Sequence, residues 1–121
     1  MTSVLVVDAA NVVGARPDGW WEDRAGAAQR LHDGLLHAHV PYDVIVLVLE
    51  GQAKAGVRAG SSAGLRVVHA HRDGDSEIVR QAQAANGRGN RVTVVTADRA
   101  LAANVARWAD TRPPTWLLDR I

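Results

Sequence analysis

Four carboxylates in this 121-residue chain stand where an apolar run gives way to polar sequence or a helix begins. Asp8 ends the run Val4-Leu5-Val6-Val7, Glu50 directly follows VIVLVL, Asp98 comes two residues after Thr96 in VTVVTAD, and Asp75 lies in His71-Arg72-Asp73-Gly74-Asp75-Ser76-Glu77. Carboxylates that converge repel one another and raise one another's pKa unless a cation is present. The chain has no cysteine, so the available ligands are oxygens. Such ligands favour hard divalent ions, Mg2+ or Mn2+, with water completing the shell. A cation held this way lowers the pKa of bound water and neutralises a phosphate that bare carboxylates would repel, which makes phosphodiester hydrolysis the chemistry to expect. In that scheme Asp8 and Asp98 are the main ligands, Asp75 a further ligand or water holder, and Glu50 an additional ligand. Asn11, three residues after Asp8, is an uncharged partner that orients water or substrate.

Each acid also has a purely structural reading. Asp75 and Asp98 can be helix N-caps, worth about 1 kcal/mol each. Asp8 and Asn11 can close a turn through side chain to backbone bonds, and Glu50 can be a solvated loop end. Capping explains an acid at a helix start, but it does not require acids after three separate buried strands. Glu77 reads as a surface residue favoured by the helix dipole rather than as a ligand. His69 and His71 alternate along a strand end, where a zinc site would need further convergent ligands. Arg16, Arg72 and Arg99 are the cations nearest the acids in sequence and the candidates for phosphate contacts. Trp20, beside Trp21, is a candidate for stacking a base, a contact of about 1 to 3 kcal/mol in single-strand binders; filling core or interface is the alternative.

The secondary structure that carries these residues follows from apolar periodicity. Residues 4–7, 44–49, 65–68, 92–95 and 116–118 form five short apolar runs. The first two are apolar at every position, as in strands of a parallel sheet covered on both faces. Helical spacing marks residues 21–38, 76–85 and 99–108, with Pro41 beyond the first and Asn86-Gly87 stopping the second. Residues 51–63 are broken by glycine and read as a short helix or loop. Alternation of strand and helix predicts a three-layer α/β/α sandwich around a central parallel sheet of about five strands, with right-handed crossovers. Ligands of such sheets sit beyond the carboxyl ends of the strands, where the acids fall.

Composition bounds the remainder. The length suits one domain over residues 1–121. Absence of cysteine excludes a disulfide framework and suits a reducing, cytoplasmic setting. No run reaches the roughly 20 apolar residues of a membrane span, and the first residues lack the basic start of a secretory signal. Fourteen basic and 13 acidic side chains leave a formal charge of +1, so contact with nucleic acid must come from local arrangement. Neither a P-loop nor GxGxxG is present.

The segments VVDAANVV, VLEG, GDSEIV and VVTADRAL, in that order, resemble the NYN branch of the PIN-like nuclease superfamily from residue 3 to about residue 119. The resemblance implies a parallel sheet of order 3-2-1-4-5, a divalent metal at its carboxyl edge and metal-dependent cleavage of RNA. It maps the family's first-strand aspartate and following asparagine onto Asp8 and Asn11, its helix-opening aspartate onto Asp75 and its late aspartate onto Asp98. Where this chain has Glu50, many relatives carry Asp. The expected function is a metal-dependent ribonuclease with RNA as partner. The alternatives are a nucleotide pyrophosphohydrolase using the same site and a non-catalytic RNA- or protein-binding domain. Paired acids expected of a receiver domain after the first strand are replaced by Asp8-Ala9-Ala10. Self-association into a homodimer is left open.

Overall fold

A computed structural model describes residues 2–121. Strands β1 (Ser3–Asp8) and β2 (Val44–Leu49) are buried at every position after their first, because each strand feeds two cores at once. Leu5, Val7, Ile45, Leu47 and Leu49 point to one side, where they meet Val12, Ala28, Leu31, Leu35 and Leu117. Those partners come from α1 (Ala9–Gly14), α2 (Arg24–His37) and α5 (Pro114–Leu118). Val4, Val6, Val46 and Val48 point to the other side, against Ile78, Ala82, Leu101 and Val105. These belong to α3 (Gly74–Gly87) and α4 (Arg99–Val105). The result is helices on both faces of one sheet. Full burial of a side chain such as Leu47 or Ile78 is worth ~1.5–3 kcal/mol over exposure.

The remaining strands are β3 (Gly60–Ser62), β4 (Leu65–His69), β5 (Arg91–Val95) and β6 (Asp110–Arg112). The order across the sheet is β3-β4-β2-β1-β5-β6. All neighbours are parallel except β3 and β4, so the sheet is mixed and six-stranded rather than parallel and five-stranded. The extra strand comes from the glycine-broken segment. Gly51–Gly56 forms a 3-10 turn, and Ser62 and Leu65 pair across Ala63 and Gly64. Both turn residues have positive φ, 50° and 80°, the pattern of a tight two-residue hairpin.

The last strand is also displaced from its expected place. Residues 116–118 lie in α5, and the strand is the polar Asp110–Arg112. Pro113 and Pro114 explain the exchange: Pro114 opens a helix, where its fixed φ and missing N–H cost nothing, and the apolar run that follows continues it. Leu117 still reaches the core, as a helical residue. Two smaller differences concern helices. The helix α1 follows directly on Asp8 although no periodicity announces it, and α4 stops at Val105 with Trp108 N–H closing a turn on the Val105 carbonyl at 2.9 Å. Among the described residues, no helix is long and apolar enough to cross a membrane.

Candidate active site

Parallel strands deliver their carboxyl ends to one edge, and strand alternation then decides the face. Asp8 pairs in register with Val48 at the ends of β1 and β2. Counting by twos, Asp8 shares the side of Val4 and Val6, and Glu50 shares that of Val46 and Val48. That side is covered by α3 and α4; Asp75 lies in the first turn of α3 and Asp98 is the N-cap of α4. Edge and face together bring four acids from distant parts of the chain to one place.

Asp8 is the most constrained of them. It is 2% exposed, and its Oδ2 accepts from the Thr96 hydroxyl at 2.8 Å and from Asn11 Nδ2 at 2.6 Å. Its Oδ1 accepts from Asn11 N–H at 3.3 Å, which caps α1. Burial pushes the Asp8 carboxyl above its ordinary value against the pull of these donors, and the charge of Glu50 adds to the rise. Asn11 thus orients Asp8 directly. Thr96, itself only 6% exposed, also accepts from Asp98 N–H at 3.1 Å and ties the two strand ends together.

Asp98 caps α4, accepting from Ala100 and Leu101 N–H groups at 2.9 and 3.1 Å through Oδ1 alone. Its Oδ2 makes no bond to the protein among the described residues. Asp75 is different. The cap of α3 is Asp73, which accepts from Ser76 N–H at 2.7 Å and from the Ser76 hydroxyl at 3.0 Å. Asp75 therefore lies within the first helical turn, exposed and without a hydrogen bond among the described residues. Its pKa is raised, by partial desolvation and then by the charges of Asp98, Asp8, Glu50 and Asp73. Glu50 is fixed at the start of the same helix, accepting from Gly74 N–H at 3.0 Å. The lack of a side chain at Gly74 makes room for it, since a Cβ there would come within 2.7 Å of Glu50 Oε1.

Other candidates fall outside this cluster. Glu77 is buried at 6% exposure instead of lying on the surface. Both its oxygens are engaged by Arg80, the closest at 2.9 Å, and Gln81 Nε2 donates at 2.8 Å. It serves to hold α3, with no oxygen left over for a ligand. His69 Nε2 is bonded to the Val57 carbonyl at 2.7 Å, and His71 is exposed beyond the strand. Arg16 lines a small cleft with Asp18, Arg30 and Leu118, between α1, α2 and α5. Arg72 precedes α3 and Arg99 follows Asp98 in α4; both are exposed and free of ion pairs among the described residues.

Beside the acids runs a groove of ≈ 420 Å³, bounded by Ala10, Val13, Trp20, Arg24, Glu50 and Gln52. Trp20 is half-buried in a 3-10 turn (Trp20–Glu22) and faces the Arg24 guanidinium at 4.8 Å. Trp21, 56% exposed, meets Trp20 edge-on at 5.8 Å. Thr96, Arg24 and Gln52 are not among the candidates that the sequence offers. Thr96 carries a signal, a polar residue closing an apolar strand two positions before an acid, whereas Arg24 and Gln52 carry none.

The donor set is chemically suited to a hard cation: oxygens only, from Asp8, Glu50, Asp75 and Asp98, with the repulsion among them unrelieved at Asp75. Among the described residues no three His, Cys, Asp or Glu side chains come together as a group that could hold a metal ion.

The fold has a counterpart among solved structures. The crystal structure of a variant of Rae1 (YacP) from Bacillus subtilis superposes with a TM-score of 0.67 over 97% of this chain and 73% of that one, at 19% identity. The likeness is one of fold. No family model and no curated protein matches the sequence.

Proposed function

We propose that this chain is a PIN-like domain of the NYN type and a metal-dependent ribonuclease that hydrolyses phosphodiester bonds in RNA at the Asp8, Asp75, Asp98 and Glu50 cluster. The observation that carries the reading is Asp75: a carboxylate without a hydrogen-bond partner among the described residues, held at the carboxyl edge of the sheet in the field of four others, Asp98, Asp8, Glu50 and Asp73. A structural cap would be bonded, as Asp73 is. The order and spacing of VVDAANVV, GDSEIV and VVTADRAL support the family assignment, and the likeness to Rae1 (YacP) supports the layered fold beneath it.

Mg2+ or Mn2+ held by Asp8, Asp75 and Asp98, with Glu50 as an additional ligand, would supply a bound water of lowered pKa and positive charge facing the phosphate. The chain's own residues do the positioning. Thr96 and Asn11 lock the Asp8 carboxylate in one orientation, so its oxygens need no reorganisation during reaction. Asp98 keeps one oxygen for the cap and presents the other. Glu50, fixed on Gly74 N–H, sits between the acids and the groove. Arg72 and Arg99, without an ion pair among the described residues, would meet the phosphates of an incoming strand.

The test is a parallel assay of single-stranded RNA and nucleoside triphosphates with Mn2+ and with chelator. RNA cleavage that needs the metal and is lost in Asp75→Asn is the expected result. Hydrolysis of triphosphates with RNA left intact would transfer the site to phosphoanhydrides; inertness toward both would make it a binding domain.

A further inference from the structure

We propose that the groove between α1, α2 and the Gly51–Gly56 turn is a subsite for one unpaired nucleobase of the substrate strand, next to the bond that the acids act on. This rests on the ribonuclease reading and adds to it the part of the substrate that is recognised.

Three observations carry it. The groove is continuous with the acidic cluster, because Glu50 belongs to both: it lines the groove and accepts from the first residue of α3. A group seated in the groove thereby meets Glu50, whose charge also acts on Asp8 and Asp75. The walls then match a flat aromatic ring with polar edges. Ala9 and Val13 give an apolar side, Trp20 and the Arg24 guanidinium give an indole and a planar cation, and the Gln52 amide stands at the rim. Unpaired bases are held by stacking on aromatic rings and guanidinium planes, with amides bonding their edges. Its ≈ 420 Å³ lies within the ~300–1,000 Å³ of small-ligand sites. Lastly, the same walls do not suit the sugar-phosphate backbone: one cation, Arg24, is already turned onto an indole, while Glu50 repels phosphate. The free cations Arg72 and Arg99 belong to the start of α3 and of α4, on the other side of the acids. Base in the groove and phosphate over the acids is the division of labour that follows.

Adenosine, which has no phosphate, isolates the base contact from the metal and from catalysis. The full chain is titrated with adenosine and with ribose in chelator while the indole N–H resonances are followed, the Trp20 signal being assigned from Trp20→Phe. Adenosine is expected to move the Trp20 indole and the Gln52 backbone amide, and ribose to leave both in place. Trp20→Ala and the exposed-site variant Arg24→Ala are each expected to weaken adenosine binding about 5-fold or more, while Trp20→Phe retains most of it. The proposal is overturned if ribose acts like adenosine, if the Trp20 indole does not respond, or if Arg24→Ala binds as wild type with its fold intact by circular dichroism. In the companion cleavage assay, an RNA abasic at the position flanking the cut is expected to be cut at least 10-fold more slowly. Undiminished cutting of the abasic strand overturns the base subsite alone; absence of any RNA cleavage beside a normal adenosine response overturns the ribonuclease reading alone.

Discussion

The hydroxyl of Thr96 donates to Asp8 Oδ2 at 2.8 Å while its oxygen accepts from Asp98 N–H at 3.1 Å, so one buried side chain sets the positions of two acids 90 residues apart. Replacing Thr96 by Val keeps the shape and removes both bonds. The Asp8 carboxyl, already raised by burial, should rise further. Partners of this kind typically matter 10- to 100-fold for metal affinity or activity. We expect a loss in that range for Thr96→Val, with about 1–2 kcal/mol of stability lost in urea unfolding, and recovery in Thr96→Ser. Cleavage by Thr96→Val at the wild-type rate would refute the role.

The acids make a definite statement about pH. Asp8 and Asp75 both have pKa values raised from 3.8. Across the interval between the unfolded and the folded pKa the native state binds more protons than the unfolded state, so stability falls as pH rises through it. Above that interval both carboxylates carry their full penalty. Exposed Asp43 and Asp73 are lowered by their Ser3 and Ser76 donors and act in the opposite sense, their contribution vanishing as pH falls below 3.8. The metal-free protein should therefore gain thermal stability in Asp75→Asn at neutral pH, and the gain should shrink on acidification. Added Mn2+ should stabilise wild type more than this variant. A lower neutral-pH melting temperature for Asp75→Asn would contradict the repulsion.

Glu50 depends on the emptiness of Gly74. In Gly74→Ala the new methyl would press on the Glu50 carboxylate, which is a mobile side-chain end and can swing away. The expected cost in stability is small, below about 1 kcal/mol, the gain from removing a helical glycine offsetting the lost bond. Metal titration is the sensitive measure: affinity should drop several-fold in Gly74→Ala and similarly in Glu50→Gln. Unchanged affinity in both would remove Glu50 from the site.

Gly56 meets backbone rather than a mobile side chain. A Cβ at this position would overlap the Ala25 carbonyl oxygen, so the 3-10 turn would have to part from α2. Gly56→Ala is expected to destabilise by ~1–3 kcal/mol, the usual range for overpacking, and to widen the groove. Guanidinium unfolding measures the first effect, and a weakened adenosine response the second.

How far these relationships could be read from residues alone depended on how many levels agreed. The strands β1 and β2 were plain because burial on both faces leaves only apolar residues, and their ends marked Asp8 and Glu50. Trp116-Leu117-Leu118 misled because a three-residue apolar run has no periodicity to separate strand from helix. The prolines before it held the answer. Asp73 and Asp75 compete for one cap, and only the backbone geometry shows that Asp73 takes it and leaves Asp75 unbonded. Glu77 looks solvent-facing in sequence because its partners Arg80 and Gln81 also look like surface residues; Arg80 balances the buried charge and Gln81 adds a hydrogen bond to it. The groove left no pattern, since Trp20, Arg24 and Gln52 are gathered by the packing of two short turns against α1 and α2.

The sheet ends on both sides in strands of three residues, β3 and β6. A broad, flat border of unpaired amide groups invites another polypeptide to extend the ladder. Here the long, oily strands are all interior, and the margins are Gly-Ser-Ser and Asp-Thr-Arg. An intruding chain would find a foothold of one short, hydrophilic step, so the layered core is insulated from runaway stacking while its carboxyl rim stays open.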